Sequence, residues 1–325
     1  MNLLRPSIIF LILLNLSTAF ANTGSLTPLV ETKWLASQLE NIVVLDVRTD
    51  KKSFISKPIY FKNQKTQNQT LSRVGGHIEG ARLVLYKNVR GDRIIDGNNV
   101  KYMVASSTQF ETLMQQAGVN KNSHIIITTN AEESFDLTMA SRMYWQVKYF
   151  GHDNVSILNG GTAQWLIDGR KIKISIDKYP LGNWKAQQER SSLFASSDDV
   201  HTATDNNAIQ LVDVRPLGQY LGTFKSGKTK TKGHIPTAKV FPIDLISNRS
   251  MPVKFSPINE LQQLSNALGI NYQQALITYC NSGHMASGGW FVFHEILGNK
   301  NVKLYDGSMH QWTLENRPVV SMMME

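Results

Sequence analysis

A chain of 325 residues, 42% apolar and 18% charged, has ample material for a folded interior. It is too long for one ordinary core, so two domains of about 150 residues each are expected. The net charge of +9 is modest and mostly dispersed, and no stripe of interleaved aromatic and basic residues marks a nucleic-acid surface. The single cysteine, Cys280, excludes an intramolecular disulfide.

In chain order, the first signal concerns location. Met1 to Arg5 form a short basic start, "SIIFLILLNL" (Ser7 to Leu16) is an apolar run, and Ala19-Phe20-Ala21 has the small-x-small pattern of a signal-peptidase site. The run is short for a membrane span of about 20 apolar residues. Residues 1–21 are therefore expected to be a cleaved secretory signal, with a mature chain from near Asn22 in the periplasm or outside the cell. No membrane association is expected after cleavage.

The remainder divides into a first domain over 22–170, a linker over 171–192 and a second domain over 193–325. "NIVVLDVR" (Asn41 to Arg48) is a short apolar run of the kind that forms a buried parallel strand. "KPIYFKNQKTQNQTLSR" (Lys57 to Arg73) has no later counterpart and reads as a polar surface excursion. "GHIEGA" (Gly76 to Ala81), the strand "IIITTN" (Ile125 to Asn130), the helical "MASRMYWQVKYFG" and "NVSILNGGTAQW" (Asn154 to Trp165) follow.

The second half says nearly the same thing again. "AIQLVDVR" (Ala208 to Arg215), "GHIPTA" (Gly233 to Ala238), "ALITYC" (Ala275 to Cys280), the helical "MASGGWFVFHEILG" and "NVKLYDGSMHQW" (Asn301 to Trp312) recur in the same order. Aligning the two strands by their last residues sets Asn130 opposite Cys280 and makes the first-half loop three residues longer. Alternating strand and helix signals argue for an α/β fold: two domains, each a small parallel sheet flanked by helices on both faces. In such sheets ligands bind beyond the carboxyl ends of the strands, which is where Cys280 lies.

Around Cys280 the residues suggest chemistry. An apolar strand, a loop of small residues and a helix expected to begin near Ala286 would turn the amides of residues 281–286 inward and favour a negative charge on the sulfur. Gly283 permits the tight turn, and Ser282 and His284 can add hydrogen bonds. The plain alternative is a buried cysteine used as a small apolar filler. His284 is either an exposed loop residue or a group that binds anions or handles protons at the sulfur.

With those motifs in place, "LVDVRPLGQYLGT", "GHIPTA", "LITYC", "CNSGHM" and "LYDGSMHQW", the chain resembles a tandem rhodanese-type sulfurtransferase of the thiosulfate/3-mercaptopyruvate family over nearly all its expected mature length. The first half is similar to the inactive N-terminal domains of that family. The resemblance implies that Cys280 attacks the outer sulfur of a small donor, holds it as a persulfide, and passes it to a thiol or cyanide, with a protein acceptor as the alternative. It implies no metal or organic cofactor. It puts substrate-binding positions at Asn281, Ser282, Gly283, His284, Met285 and Gln219.

Departures are evident. Thiosulfate-using members carry a basic pair after the cysteine, where Asn281 and Ser282 stand, and an arginine where Gln219 stands. Mercaptopyruvate-using members have Gly-Ser-Gly-Val-Thr, of which only Ser282 and Gly283 remain. The lysine cluster of Lys225, Lys228, Lys230 and Lys232 is either a solvated loop or a compensating lure for an anionic donor. Asp46 and Arg48, Asp213 and Arg215, and His77 and His234 occur in both halves and read as structural braces, with Trp165 and Trp312 as core anchors. Two other functions fit a lone reactive thiol: a non-catalytic sulfur carrier, and a cysteine-dependent phosphatase or arsenate reductase. The latter commonly places an arginine six positions after the cysteine, where this chain has Ala286.

Overall fold

The computed structural model describes residues 27–206 and 208–322; the signal segment expected over 1–21 lies outside the described residues. In the first half the elements are β1 (Leu29–Val30), α1 (Thr32–Ala36), β2 (Val43–Arg48), α2 (Lys52–Ile55), β3 (Ile59–Lys62), β4 (Gln69–Arg73), β5 (Arg82–Leu85), β6 (Arg90–Ile95), β7 (Asn98–Val104), α3 (Ser107–Gln116), β8 (Ile125–Thr128), α4 (Ser134–Tyr149), β9 (Val155–Leu158) and α5 (Gly161–Ile167). The second half continues with β10 (Phe194–Ala195), α6 (Ser197–Asp205), β11 (Ile209–Asp213), α7 (Leu217–Leu221), β12 (Lys239–Val240), α8 (Ile258–Ala267), β13 (Ala275–Tyr279), α9 (His284–Trp290), β14 (Val302–Tyr305) and α10 (Ser308–Leu314).

Two five-stranded sheets result, ordered β1-β9-β8-β2-β5 and β10-β14-β13-β11-β12, each parallel throughout. Strands β2 and β8 are buried at every position, as continuous apolar runs require when helices cover both faces of a sheet. The strand order is the same in both halves, so the internal repeat is a repeat of topology. Both sheets put the carboxyl ends of their central strands on one edge.

The parallel register corrects the alignment of the two halves. Asp46 pairs with Thr128 and its twin Asp213 pairs with Tyr279, so Thr129, not Asn130, is the counterpart of Cys280. Backbone bonds repeat the equivalence: Thr162 N donates to Thr129 O, as Met309 N does to Cys280 O. Asn130 matches Asn281, and the first-half loop is four residues longer, with 36 positions from Thr129 to Trp165 against 32 from Cys280 to Trp312.

The expected braces are in place. Arg48 forks onto Asp46 and donates to Gly76 O at 2.8 Å; Arg215 does the same with Asp213 and Gly233 O. His77 stacks on Phe54 and His234 on Tyr220, and burial lowers the pKa of both rings. Trp165 and Trp312 are buried. The excursion over 57–73 is an antiparallel hairpin, β3–β4, with Phe61 exposed.

Segment 171–192 is packed rather than free. Lys173 pairs with His77, Trp184 is buried in the first domain's core, and Gln187 N donates to Phe150 O at 2.9 Å. The cores of the two domains also merge. One apolar cluster runs through both, with α4 against α9 and Tyr144 edge-on to Phe291 at 4.9 Å between ring centres. The amino end of α9, where the cysteine loop arrives, is thus held from both domains.

Candidate active site

Cys280 follows β13 directly and lines a cleft of about 500 Å³ between the domains. The second domain contributes Lys228, Cys280, Asn281, Ser282, His284 and Met285; the first contributes Tyr86, Arg90, Tyr102 and Phe135 among others. Cys280 is only 2% exposed. A filler cysteine is buried in a packed interior; this one is buried at the wall of a cavity large enough for a small organic molecule.

The turn after the cysteine is built on Gly283 and Ser308. Gly283 takes φ +75 and caps α9, which starts two residues earlier than the expected Ala286. A side chain at 283 would strike Asp306, with its first carbon 2.1 Å from the carboxylate oxygen Oδ1, so glycine is required here. The hydroxyl of Ser308 accepts from the amides of Cys280 and Gly283 at 3.1 Å each and donates to Tyr305 O at 2.8 Å. Of the expected inward amides of residues 281–286, that of Gly283 is thereby occupied by Ser308, while His284 and Met285, in the first turn of α9, have amides with no partner inside the helix.

The first domain fixes the same loop from the other side. Arg90, at the start of the β6–β7 hairpin, donates to the carbonyls of Ser282 and Tyr102, the latter through Nε at 2.8 Å. Its guanidinium lies 5.2 Å from the centre of the Tyr102 ring. Lys228 Nζ lies 4.6 Å from that ring and 3.4 Å from Ser282 Oγ. Burial, and then the nearby Arg90, lower the Lys228 pKa. Beneath the loop, Arg142 of α4 pairs with Asp306 in a fully buried ion pair across the domain boundary, and Asp306 also accepts from Val104 N.

His284 bridges the domains. Its Nε2 lies 2.6 Å from Thr138 Oγ1, whose own proton goes to Phe135 O at 2.8 Å, so Nε2 is the donor. Nδ1 then accepts from the Tyr86 hydroxyl. Burial, followed by Arg90, Arg142 and Lys228, holds the His284 pKa well below the ordinary histidine value. The ring is neutral.

Against this geometry the known proteins can be compared. A profile described as the rhodanese-like domain matches residues 31–168 and 196–315. The chain belongs to the rhodanese-like family. A Saccharopolyspora erythraea protein named as a thiosulfate sulfurtransferase is 31% identical, over 77% of this chain and 85% of its own length. The Thermus thermophilus protein named sulfur carrier protein TtuD is 29% identical, over 73% of this chain and 82% of its own. Among solved structures, SseA of Escherichia coli superposes with a TM-score of 0.68 at 24% identity, covering 87% of this chain and 99% of that one. Tum1 of Saccharomyces cerevisiae gives 0.74 at 16%, covering 92% and 99%. The protein is a sulfurtransferase of the rhodanese type.

On this rhodanese-like scaffold the expected binding positions separate. Asn281, Ser282, His284 and Met285 line the cleft beside Cys280; Gly283 and Gln219 do not. Gly283 faces the Asp306–Arg142 pair behind the loop. Gln219, on α7, accepts from Asn281 Nδ2 at 2.8 Å and so steadies a lining residue. His284 is buried in the cleft wall, which corrects the reading of it as an exposed loop residue, and burial and the neighbouring cations disfavour its charged form. Of the four lysines, Lys228 alone reaches the cleft, while Lys225 and Lys230 donate to the carbonyls of Thr229 and Leu314.

Sequence reasoning missed Tyr86, Arg90, Tyr102, Phe135 and Ser308. Only Ser308 left a trace: it replaces Gly161 of the first half, and both residues have φ +51. The first-half glycine is explained sterically, since a side chain at 161 would meet Thr129 O at 2.5 Å.

Proposed function

We propose that Cys280 is the nucleophile that takes the outer sulfur of an anionic donor, holds it as a persulfide, and releases it to a thiophilic acceptor such as a thiol or cyanide. The observation that carries this reading is the company the sole thiol keeps. It lines a cleft between the domains in which Arg90 and Lys228 converge on Ser282, two residues along the loop. Arg90, Lys228 and Lys87 in the lining outweigh Asp92 and favour a bound anion, and the persulfide charge benefits from the same field. They stand in for the basic groups absent at Asn281, Ser282 and Gln219. With Thr129 at the twin position, the first domain has no thiol and acts by supplying Arg90 and Tyr86.

The test is direct. Purified protein is incubated with thiosulfate, 3-mercaptopyruvate or glutathione persulfide and its intact mass measured. Wild type should gain one sulfur atom, lost again on adding cyanide, and Cys280→Ser should gain none. A Cys280→Ser protein that still turns over would overturn the reading.

The relative named a sulfur carrier supports a second reading, in which the persulfide is handed to a protein. Sulfur that loads onto Cys280 and resists small acceptors would favour it. Export, expected from residues 1–21, belongs to the same proposal; sequencing the amino terminus of protein recovered from the periplasmic fraction tests it.

A further inference from the structure

The first domain has a cavity of its own, also of about 500 Å³, where β5, α2, α3 and the linker meet. It shares no lining residue with the catalytic cleft; the turn after β5 gives Tyr86 and Lys87 to the cleft and Asn88 to this cavity. Phe54, Leu83, Leu113 and Ile176 make its sides largely apolar. Three cations, Lys51, Arg82 and Lys178, line it against one carboxylate, Asp177, which Lys173 already holds at 2.8 Å. Arg82 donates through Nη1 to Gly118 O at 3.1 Å, and its guanidinium lies 4.6 Å from the centre of the Tyr179 ring. Its Nε is buried with no hydrogen-bond partner. A buried donor is costly to leave without an acceptor. The second half shows that capping the carbonyl does not demand this arrangement. Lys239, the twin of Arg82 in "GHIPTAK", bonds to Gly269 O and donates to Gln210 Oε1 at 2.8 Å. Elsewhere in the chain, Arg48 and Arg215 present Nε and Nη2 together to a carboxylate; in Arg82 that edge makes no hydrogen bond.

We infer that this cavity is a second binding site, for a small organic carboxylate with an apolar body. The carboxylate takes the free edge of Arg82, whose planar fork matches it, and Lys51 and Lys178 add to the attraction. The body packs along Phe54, Leu83, Leu113 and Ile176, in a space of the size that encloses organic ligands. The site involves no sulfur chemistry, so it stands or falls independently of the persulfide reading.

The experiment titrates the protein calorimetrically with 2-naphthoate and with its neutral counterpart, 2-naphthamide. Naphthoate is expected to bind with a Kd below about 1 mM, and the amide about tenfold or more weakly. Arg82→Gln should weaken naphthoate about tenfold or more. Lys178→Glu, at an exposed position that the fold does not need, should weaken it about threefold. Lys228→Gln, in the catalytic cleft, should leave the affinity unchanged. Urea midpoints show that the variants are folded; if Arg82→Gln is not, Lys178→Glu and the amide decide. The inference is overturned if naphthoate does not bind, if the amide binds equally well, or if a folded Arg82→Gln keeps the wild-type affinity. Binding lost in Lys228→Gln instead would place the probe beside Cys280 and overturn it as well.

Discussion

Ser308 holds Cys280 by its backbone: one buried hydroxyl accepts from the amides of Cys280 and Gly283 at 3.1 Å, closing the cysteine loop. It does so from φ +51, a conformation that costs a residue with a side chain. Ser308→Ala keeps that strain and leaves two buried amides without an acceptor, so a loss of about 2 kcal/mol or more is expected, together with most of the activity. Ser308→Gly relieves the strain and should lose less stability while losing similar activity. Urea unfolding and sulfur-transfer assays of both variants check this; an Ala variant as stable as wild type contradicts the arrangement.

Arg90 reaches the cysteine loop from the other domain, so its removal tests whether the first domain takes part in the chemistry. Arg90→Gln is expected to raise the KM for an anionic donor about tenfold or more, through loss of a charge-assisted contact. Arg90→Lys keeps the charge without the guanidinium fork that spans the carbonyls of Tyr102 and Ser282. It should therefore recover KM more than kcat. Lys228→Gln should raise KM as well and leave the loop in place. A donor KM indifferent to both cations would remove them from the binding site.

Much of the site was legible because the repeat exposes what differs between two copies of one fold. An apolar strand, a run of small residues and an unpaired thiol located the loop. The twin of Cys280 was misplaced by one residue because parallel register is set by bonding to the neighbouring β2 and β11, which letter matching does not see. The start of α9 moved because Gly283 takes a left-handed conformation and caps the helix itself. Arg90, Tyr102 and Phe135 stayed hidden because their role depends on one domain leaning over the other. The burial of His284 stayed hidden for the same reason, since Tyr86 and Thr138, which hold its two ring nitrogens, belong to the other domain.

The Arg142–Asp306 pair joins the domains with both side chains fully buried. Such a pair contributes little against an apolar replacement, but breaking one side strands the other charge. Asp306→Asn is therefore expected to cost about 3–5 kcal/mol, and the double variant Arg142→Met with Asp306→Asn clearly less than the sum of the singles. Thermal or urea denaturation of the four proteins gives the coupling. Additive losses would mean that the two groups do not sense one another.

His284 sets a pH dependence whose sign can be worked out. Its folded pKa lies well below the ordinary value because it is buried beside Arg90, Arg142 and Lys228, with Tyr86 and Thr138 on its two nitrogens. Above about pH 6.5 the ring is neutral in both folded and unfolded chains, and its contribution to stability is fully present. As pH falls from there toward the folded pKa, the unfolded chain takes up a proton that the folded ring refuses, and stability declines by about 1.4 kcal/mol per pH unit for this one group. His77, His124, His152, His234 and His294 are shifted the same way and add to the slope. His284→Gln, which can still accept from Tyr86 and donate to Thr138, should therefore be less acid-sensitive than wild type, with a slope shallower by about one proton. Urea midpoints measured between pH 7.5 and 5, roughly the span over which histidine changes charge, give that slope. An unchanged slope would mean that the folded protein does not hold the His284 pKa below that of the unfolded chain.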